Sequence, residues 1–346
     1  MDDDASRTPT RWRGCALLVL GALVLSGLVA VRAWSARMPG ESFEGDAPVA
    51  NDEERALAER LTADVATLAQ TIGERNPRFY PALVRARDHV EARLRALALE
   101  PVRETYEVRG QAFDNVLVDV GASSSRTLLV GAHYDSANGS PGANDNASGV
   151  AVLLALAERL RDRPPSGRVR LAFFTLEEPP HFRTRTMGSR VLAARLAARG
   201  ELPNAVIVLD SVGYYVDAPR SQQHPVSWHS LVYGDRGRFV AFVGNARSEA
   251  LLRDAIASFR STARIPSEGA VMSDRTMGAG WSDHSSFWEH DVPAILITDT
   301  AAFRDPHYHQ ATDDGRQIDA LALARLTLGL EATVRDLAEG RGTLEP

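Results

Sequence analysis

Apolar residues recur at helical spacing over Glu53–Thr71 and again over Pro81–Leu99, among many charges, which predicts two amphipathic helices. The pattern then becomes strand-like over Val102–Val108, Asn115–Val120 and Thr127–Ala132. Helical spacing returns over Gly149–Leu160, followed by a strand at Val169–Leu176, a helix at Ser189–Ala198 and a strand at Ala205–Leu209. A helix at Glu249–Thr262, a short strand at Val292–Ile297 and a long amphipathic helix at Ile318–Ala338 complete the series. Strands alternating with helices predict an α/β fold, a three-layer sandwich with a mainly parallel, mixed central sheet flanked by helices. The early strand pair adds an antiparallel edge.

A different pattern precedes these elements. The run from Gly14 to Val31 is uncharged, with Arg11 and Arg13 before it and Arg32 after it. As a helix it spans about 27 Å, just enough for the hydrocarbon core of a bilayer. We read residues 14–34 as a transmembrane anchor, with a cleaved signal segment as the alternative. Residues 1–13 are then a cytoplasmic tail and 35–52 a polar linker, and 53–346 form a single domain. Both alternatives put that domain outside the cytoplasm, either membrane-anchored or secreted or periplasmic after cleavage.

Composition narrows the chemistry. The chain has 346 residues, 44% hydrophobic and 24% charged, which is ordinary for a globular protein. A net charge of -6 gives no general affinity for nucleic acid. The single cysteine, Cys15, lies in the apolar run, so the domain has neither an internal disulfide nor a cysteine-rich metal site.

In open α/β sheets ligands bind beyond the carboxyl ends of the strands. Those ends carry His133 and Asp135 in "HYDS", Glu177 and Glu178 after Val169–Leu176, Asp210 after Ala205–Leu209, and His307 and His309 in "DPHYHQATDD". Asp145 lies in a Gly- and Asn-rich turn before a helix. Taken singly, each is what a polar loop, a turn or a helix cap also supplies. Together, two histidines and three carboxylates make two metal sites if one carboxylate bridges. Adjacent acids then divide the work: one of the Glu177–Glu178 pair binds a metal and the other takes a proton from the attacking water.

"GAHYDS", "GANDNASG", "LEE", "LDSVG", "SDHSSF" and "YHQATDD" occur in the order seen in the zinc exopeptidases of clan MH, which the chain resembles over roughly Asn115 to Ala338. That family includes bacterial leucyl-type aminopeptidases, glutamate carboxypeptidases, glutaminyl cyclases and the transferrin receptor ectodomain. The resemblance implies two zinc ions, for which Mn or Co can substitute, and a peptide substrate. It implies that His133 and Asp210 hold one zinc and Glu178 and His309 the other. Asp145 bridges them and has a cis peptide to Asn146. Glu177 is general base and acid, Asp135 orients His133, and Tyr308 hydrogen-bonds the oxyanion. Asp283 and His284 match a further motif and are expected near the active site, in the substrate pocket or in a structural role. His307 is assigned to the surrounding loop, and His89, His181, His224, His229 and His290 to ordinary positions.

An aminopeptidase is the leading reading. A glutaminyl cyclase-like acyltransferase and a carboxypeptidase are the alternatives on the same fold. Tyr308 stands where the cyclases have Trp, which favours hydrolysis. Intact ligand positions argue against a non-catalytic ectodomain, and no Gly-x-Ser-x-Gly elbow supports a serine hydrolase. The chain departs from simpler aminopeptidases at Pro179–Ser189, where Phe182, Arg183 and Arg185 are candidates to rim the site and either Arg to meet a substrate carboxylate. Val216–Ser282 matches no usable motif and is expected to shape the substrate pocket. Oligomeric state is not legible in the sequence.

Overall fold

The computed structural model describes residues 37–46, 48–124 and 126–341. The expected anchor or signal segment at 14–34 lies outside the described residues, and among the described residues no helix is long and apolar enough to cross a membrane.

Two helices come first, α1 (Asp52–Ala66) and α2 (Tyr80–Ala96). Asn51 and Glu54 close a capping box at the start of α1, each side chain accepting the other's backbone N–H. The strands β1 (Val102–Val108) and β2 (Gln111–Gly121) follow, then β3 (Thr127–His133), α3 (Gly149–Asp162), β4 (Arg168–Phe174), α4 (Gly188–Arg199) and β5 (Ala205–Leu209). Beyond a helical turn at Ser230–Tyr233 lie β6 (Val240–Gly244), α5 (Glu249–Thr262), β7 (Ser267–Val271), α6 (His284–Trp288), β8 (Ala294–Thr298) and α7 (Ala320–Ala338). β1 and β2 form a hairpin whose two loop residues, Arg109 and Gly110, both have positive φ, the conformation a tight two-residue turn needs.

The strands form one sheet in the order β1-β2-β4-β3-β5-β8-β6-β7. The centre, β4-β3-β5-β8, is parallel. β2 joins it antiparallel at one side and β6 at the other, and β7 runs parallel to β6. The sequence pattern missed β6 and β7, which lie in the stretch without motifs.

Alternate side chains along each strand face two apolar layers. Val130, Leu171, Ile207 and Phe242 point to the side covered by α1, α2, α3, α5 and α7. Leu129, Ala172, Val208 and Ala241 point to the side covered by α4 and α6. α3 is buried along almost its whole length, as its nearly continuous apolar sequence requires. The three-layer α/β sandwich is thus present. The carboxyl ends of the parallel strands open on one edge of the sheet. Because β6 and β7 run the other way, their amino ends lie at that same edge.

The segment before α1 is tied to the domain. The Arg260 guanidinium on α5 donates to the carbonyls of Met38, Pro39 and Gly40, and the Ser42 hydroxyl accepts from the Ser267 N–H on β7.

Candidate metal centre

His133 is the last residue of β3 and fully buried. Its Nδ1 faces an Asp135 oxygen at 3.5 Å. Its Nε2 faces Asp145 at 3.2 Å, Asp210 at 3.7 Å and Glu177 at 3.9 Å. The His309 Nε2 lies 3.0 Å from the other Asp145 oxygen and 3.2 Å from Glu178. Asp145 therefore offers Oδ1 to one group and Oδ2 to the other. Three sets of candidate ligand atoms result, each with its atoms within 4.8 Å of one another: His133–Asp145–Asp210, Asp145–Glu178–His309 and His133–Glu177–Glu178, of which the first two share Asp145.

The elements explain this convergence. β3, β4 and β5 lie side by side, so His133, the Glu177–Glu178 pair and Asp210 emerge at adjacent strand ends. Asp135 fixes the Glu pair by accepting their backbone N–H groups at 3.2 and 3.1 Å. Asp145 is held by its neighbours: the Asp313 carboxylate accepts the N–H groups of Asn144 and Asp145, and Asn146 bonds the Leu209 carbonyl and the Ser211 N–H. The Asp145–Asn146 peptide is cis. Gly142 precedes it at φ +62°, and a Cβ there would lie 2.4 Å from the Asp145 carbonyl oxygen, so only glycine fits. Leu176, Ser211 and His309 also take left-handed φ, a strained choice for non-glycine residues that gathers around this cluster.

The electrostatics match a cation site. Burial opposes the charged form of His133, but Glu177, Asp135, Asp145 and Asp210 outweigh it and raise its pKa well above the usual range. Burial likewise opposes protonation of His309, and Asp145 and Glu178 push it up to about 10. Burial, reinforced by Asp145, lifts Glu178 to about 7, and burial raises Glu177 well above the usual carboxylate range. So many largely buried acids in one site require positive charge, from protons or from a metal. The His133 Nε2 and Glu178 Oε1 atoms are buried without a hydrogen-bond partner. Unpaired donor atoms of His and carboxylate type suit zinc.

Tyr308 stacks on His309 at 3.9 Å between ring centroids. Asp283 is buried at the start of α6, and burial pushes its carboxyl up to about 7 despite the charge of His133. Its neighbour His284 turns away, bonding the Ala279 carbonyl and packing edge-on against Trp288. His307 bonds Thr312 within its own loop. Arg183 donates to the Gly280 carbonyl and lies over the Phe182 ring, joining the Pro179–Ser189 segment to the wall around Trp281.

One feature escaped the sequence reading. Arg75, before α2, is fully buried and donates to the carbonyls of Tyr134, Pro141 and Gly142, clamping the loop that leads to Asp145. Burial lowers its pKa to about 10, against the pull of Asp313, Asp135, Asp145 and Glu178. An open-mouthed pocket of about 840 Å³, the solvent-open space at its mouth included, begins at Asp210 and Tyr308, runs over β8, β6 and β7 and is lined mostly from Val216–Ser282, the stretch expected to shape the substrate pocket. His224 and His229, expected in ordinary positions, line it in a ring cluster with Tyr233.

The family model for peptidase family M28 matches residues 115–334. The chain belongs to peptidase family M28. This M28 chain is 31% identical over 323 residues to the uncharacterized protein YfbL of Escherichia coli, covering 91% of this chain and 96% of that protein. It is 27% identical over 245 residues to a probable lipoprotein aminopeptidase, LpqL, of Mycobacterium tuberculosis, covering 64% of this chain and 44% of the relative. Thus it spans nearly all of the first relative and under half of the second. Among solved structures, a zinc aminopeptidase from Bacillus subtilis superposes with a TM-score of 0.65 at 14% identity, over 85% of this chain and 96% of that one. A glutaminyl cyclase from Tannerella forsythia superposes with a TM-score of 0.57 at 20% identity, over 84% and 99%. Both share the fold with this M28 domain. Membership makes the protein a metallopeptidase, as the motif resemblance implied.

Proposed function

We propose that this protein is a di-zinc aminopeptidase that removes N-terminal residues from peptides outside the cytoplasm. The carrying observation is Asp145, whose two oxygens face two separate sets of candidate ligands. His133 and Asp210 would hold one ion, Glu178 and His309 the other, and Asp145 both. Two zinc ions bound there would supply the positive charge that polarises the scissile carbonyl and acidifies the attacking water.

The remaining work falls to side chains. Asp135 accepts the backbone N–H groups of both glutamates and sits against His133, so it keeps base and ligand in register. Glu177, with its raised pKa, takes the proton of the attacking water. The Tyr308 hydroxyl, kept protonated by burial, donates to the oxyanion of the tetrahedral intermediate. As the C–N bond breaks, Glu177 returns its proton to the leaving amine.

The uncharged run from Gly14 to Val31 supports a membrane anchor at 14–34 ahead of one catalytic domain, 53–346, and the lipoprotein relative is in keeping with an extracytoplasmic place. The test uses full-length protein in mild detergent. Bound metal is counted, and free and N-acetylated peptides are followed by mass spectrometry. We expect two zinc ions and loss of N-terminal residues from free peptides only. Glu177→Gln is expected to keep the metal and lose about 10²–10⁴-fold in kcat. C-terminal loss would make it a carboxypeptidase. One metal with loss of ammonia from N-terminal Gln would make it a cyclase, and no metal with no product a binding ectodomain.

A further inference from the structure

The register of the sheet determines what lies along the floor of the pocket. Leu209 pairs with Ile297, which brings Asp210 beside Thr298. Thr298 pairs with Ala241 on β6, and Ala241 with Glu268 on β7. Asp210, Thr298, Ala241 and Glu268 thus form one row across four strands, on one face of the sheet. With strands about 4.8 Å apart, the row is about 14 Å long at the backbone. An acid stands at each end and two short side chains between, so the floor is clear from the metal centre to Glu268. The parallel row on the same face, Leu296, Val243 and Ala270, is apolar, and all of these residues line the pocket.

The Glu268 side chain is half-buried and makes neither a hydrogen bond nor an ion pair among the described residues. Burial raises its carboxyl above the usual range, and Arg260 is the one cation that acts against this. Yet the Arg260 guanidinium is directed elsewhere, to Ser267 and to the carbonyls of Met38, Pro39 and Gly40. An apolar side chain filling the pocket would strip water from this acid and leave it unpaired, which is costly. A long side chain with an apolar stem and a cationic end satisfies both the walls and the acid. The penalty on the wrong occupant adds to the gain from the right one.

We propose that the pocket selects substrates whose N-terminal residue is lysine or arginine, with Glu268 as the specificity-determining residue. This rests on the exopeptidase reading above and adds the substrate class.

The test compares zinc-loaded wild type with Glu268→Gln, which keeps the shape and removes the charge. Substrates are the p-nitroanilides of lysine, arginine and norleucine, the last having the lysine stem without its amino group. Wild type is expected to favour lysine over norleucine in kcat/KM by about tenfold or more, and Glu268→Gln to lower that ratio by about as much. Glu268→Lys, as a second variant, is expected to reject lysine and accept glutamate p-nitroanilide. A wild type that prefers norleucine, or a ratio that Glu268→Gln leaves within about twofold, overturns the proposal. If no nitroanilide is hydrolysed, the exopeptidase reading fails by itself. Equilibrium binding of lysinamide against norleucinamide then decides on Glu268 separately: the same charge-dependent ratio upholds it, and equal binding overturns it.

Discussion

Arg75 lies outside the set of candidate ligands and braces the loop that leads to Asp145. Its donors go to three carbonyls of the 134–142 loop, and its charge acts on Asp135, Asp145 and Glu178. Removing it leaves buried carbonyls without donors and the acids with one cation fewer. Arg75→Ala is expected to cost about 3–5 kcal/mol in urea unfolding. Zinc affinity is expected to fall about 10–100-fold, the range found when groups supporting metal ligands are removed. Arg75→Lys keeps the charge but not the fork of donors and is expected to fall between. Titration against a chromophoric chelator checks this, and an unchanged zinc affinity in Arg75→Ala would refute the positioning role. His133, Asp135, Glu177, Glu178 and Asp210 were legible because each sits at the end of an apolar run that identifies itself. Arg75 had no such signal: "GERNPRFY" has no spacing to any acid, and its partners arrive about sixty residues later in the chain.

Among the elements, α2 is fastened to β1 through Glu91. The Arg103 guanidinium bonds this carboxylate and, against opposing burial and with help from Arg95, holds its pKa below the usual range. A depressed folded pKa contributes stability that is present above the unfolded value, about 4.3, and is lost as pH falls through the folded one. Glu91→Gln is therefore expected to be less stable than wild type by about 1–2 kcal/mol at pH 7, with the difference shrinking below about pH 4. Urea melts at both pH values check it, and a difference independent of pH would show that packing, not charge, is at stake. The helices and central strands were readable from their periods, since burial on one face imposes the pattern. β6 and β7 were not. "VAFVG" is a short apolar run of five residues, and "SEGAV" has two apolar residues among five with its glycine packed under Met38. Runs this short carry too little pattern to separate a strand from other apolar segments, whether between two strands as β6 is or at the sheet edge as β7 is.

For the whole molecule, the buried acids couple stability to metal. In metal-free protein Glu178 is raised to about 7 and His309 to about 10. A raised folded pKa contributes stability below the unfolded value that is lost as pH rises through the folded one. Both groups, and Asp299 raised to about 7 by burial, act in the same direction. Chelated protein is therefore expected to lose Tm as pH rises from about 5 to 8. With zinc in excess the slope is expected to reverse over the same window, because protons compete with the metal for these side chains. Thermal melts with and without chelator check this, and parallel slopes in the two conditions would count against a metal held by these residues.

By itself the sequence determined the kinds of chemistry available and the order in which they occur. An apolar run ending in His, Glu-Glu or Asp is a local statement, and local patterns survive without coordinates. The α/β class followed from the same patterns. Only the tertiary structure decided which groups share an atom's neighbourhood: that Asp145 faces two histidines, that Arg75 clamps the loop leading to it, and that Glu268 ends a row beginning at Asp210. Those relations depend on strand order and register. They bring together residues tens to hundreds of positions apart, and no period along the chain records them.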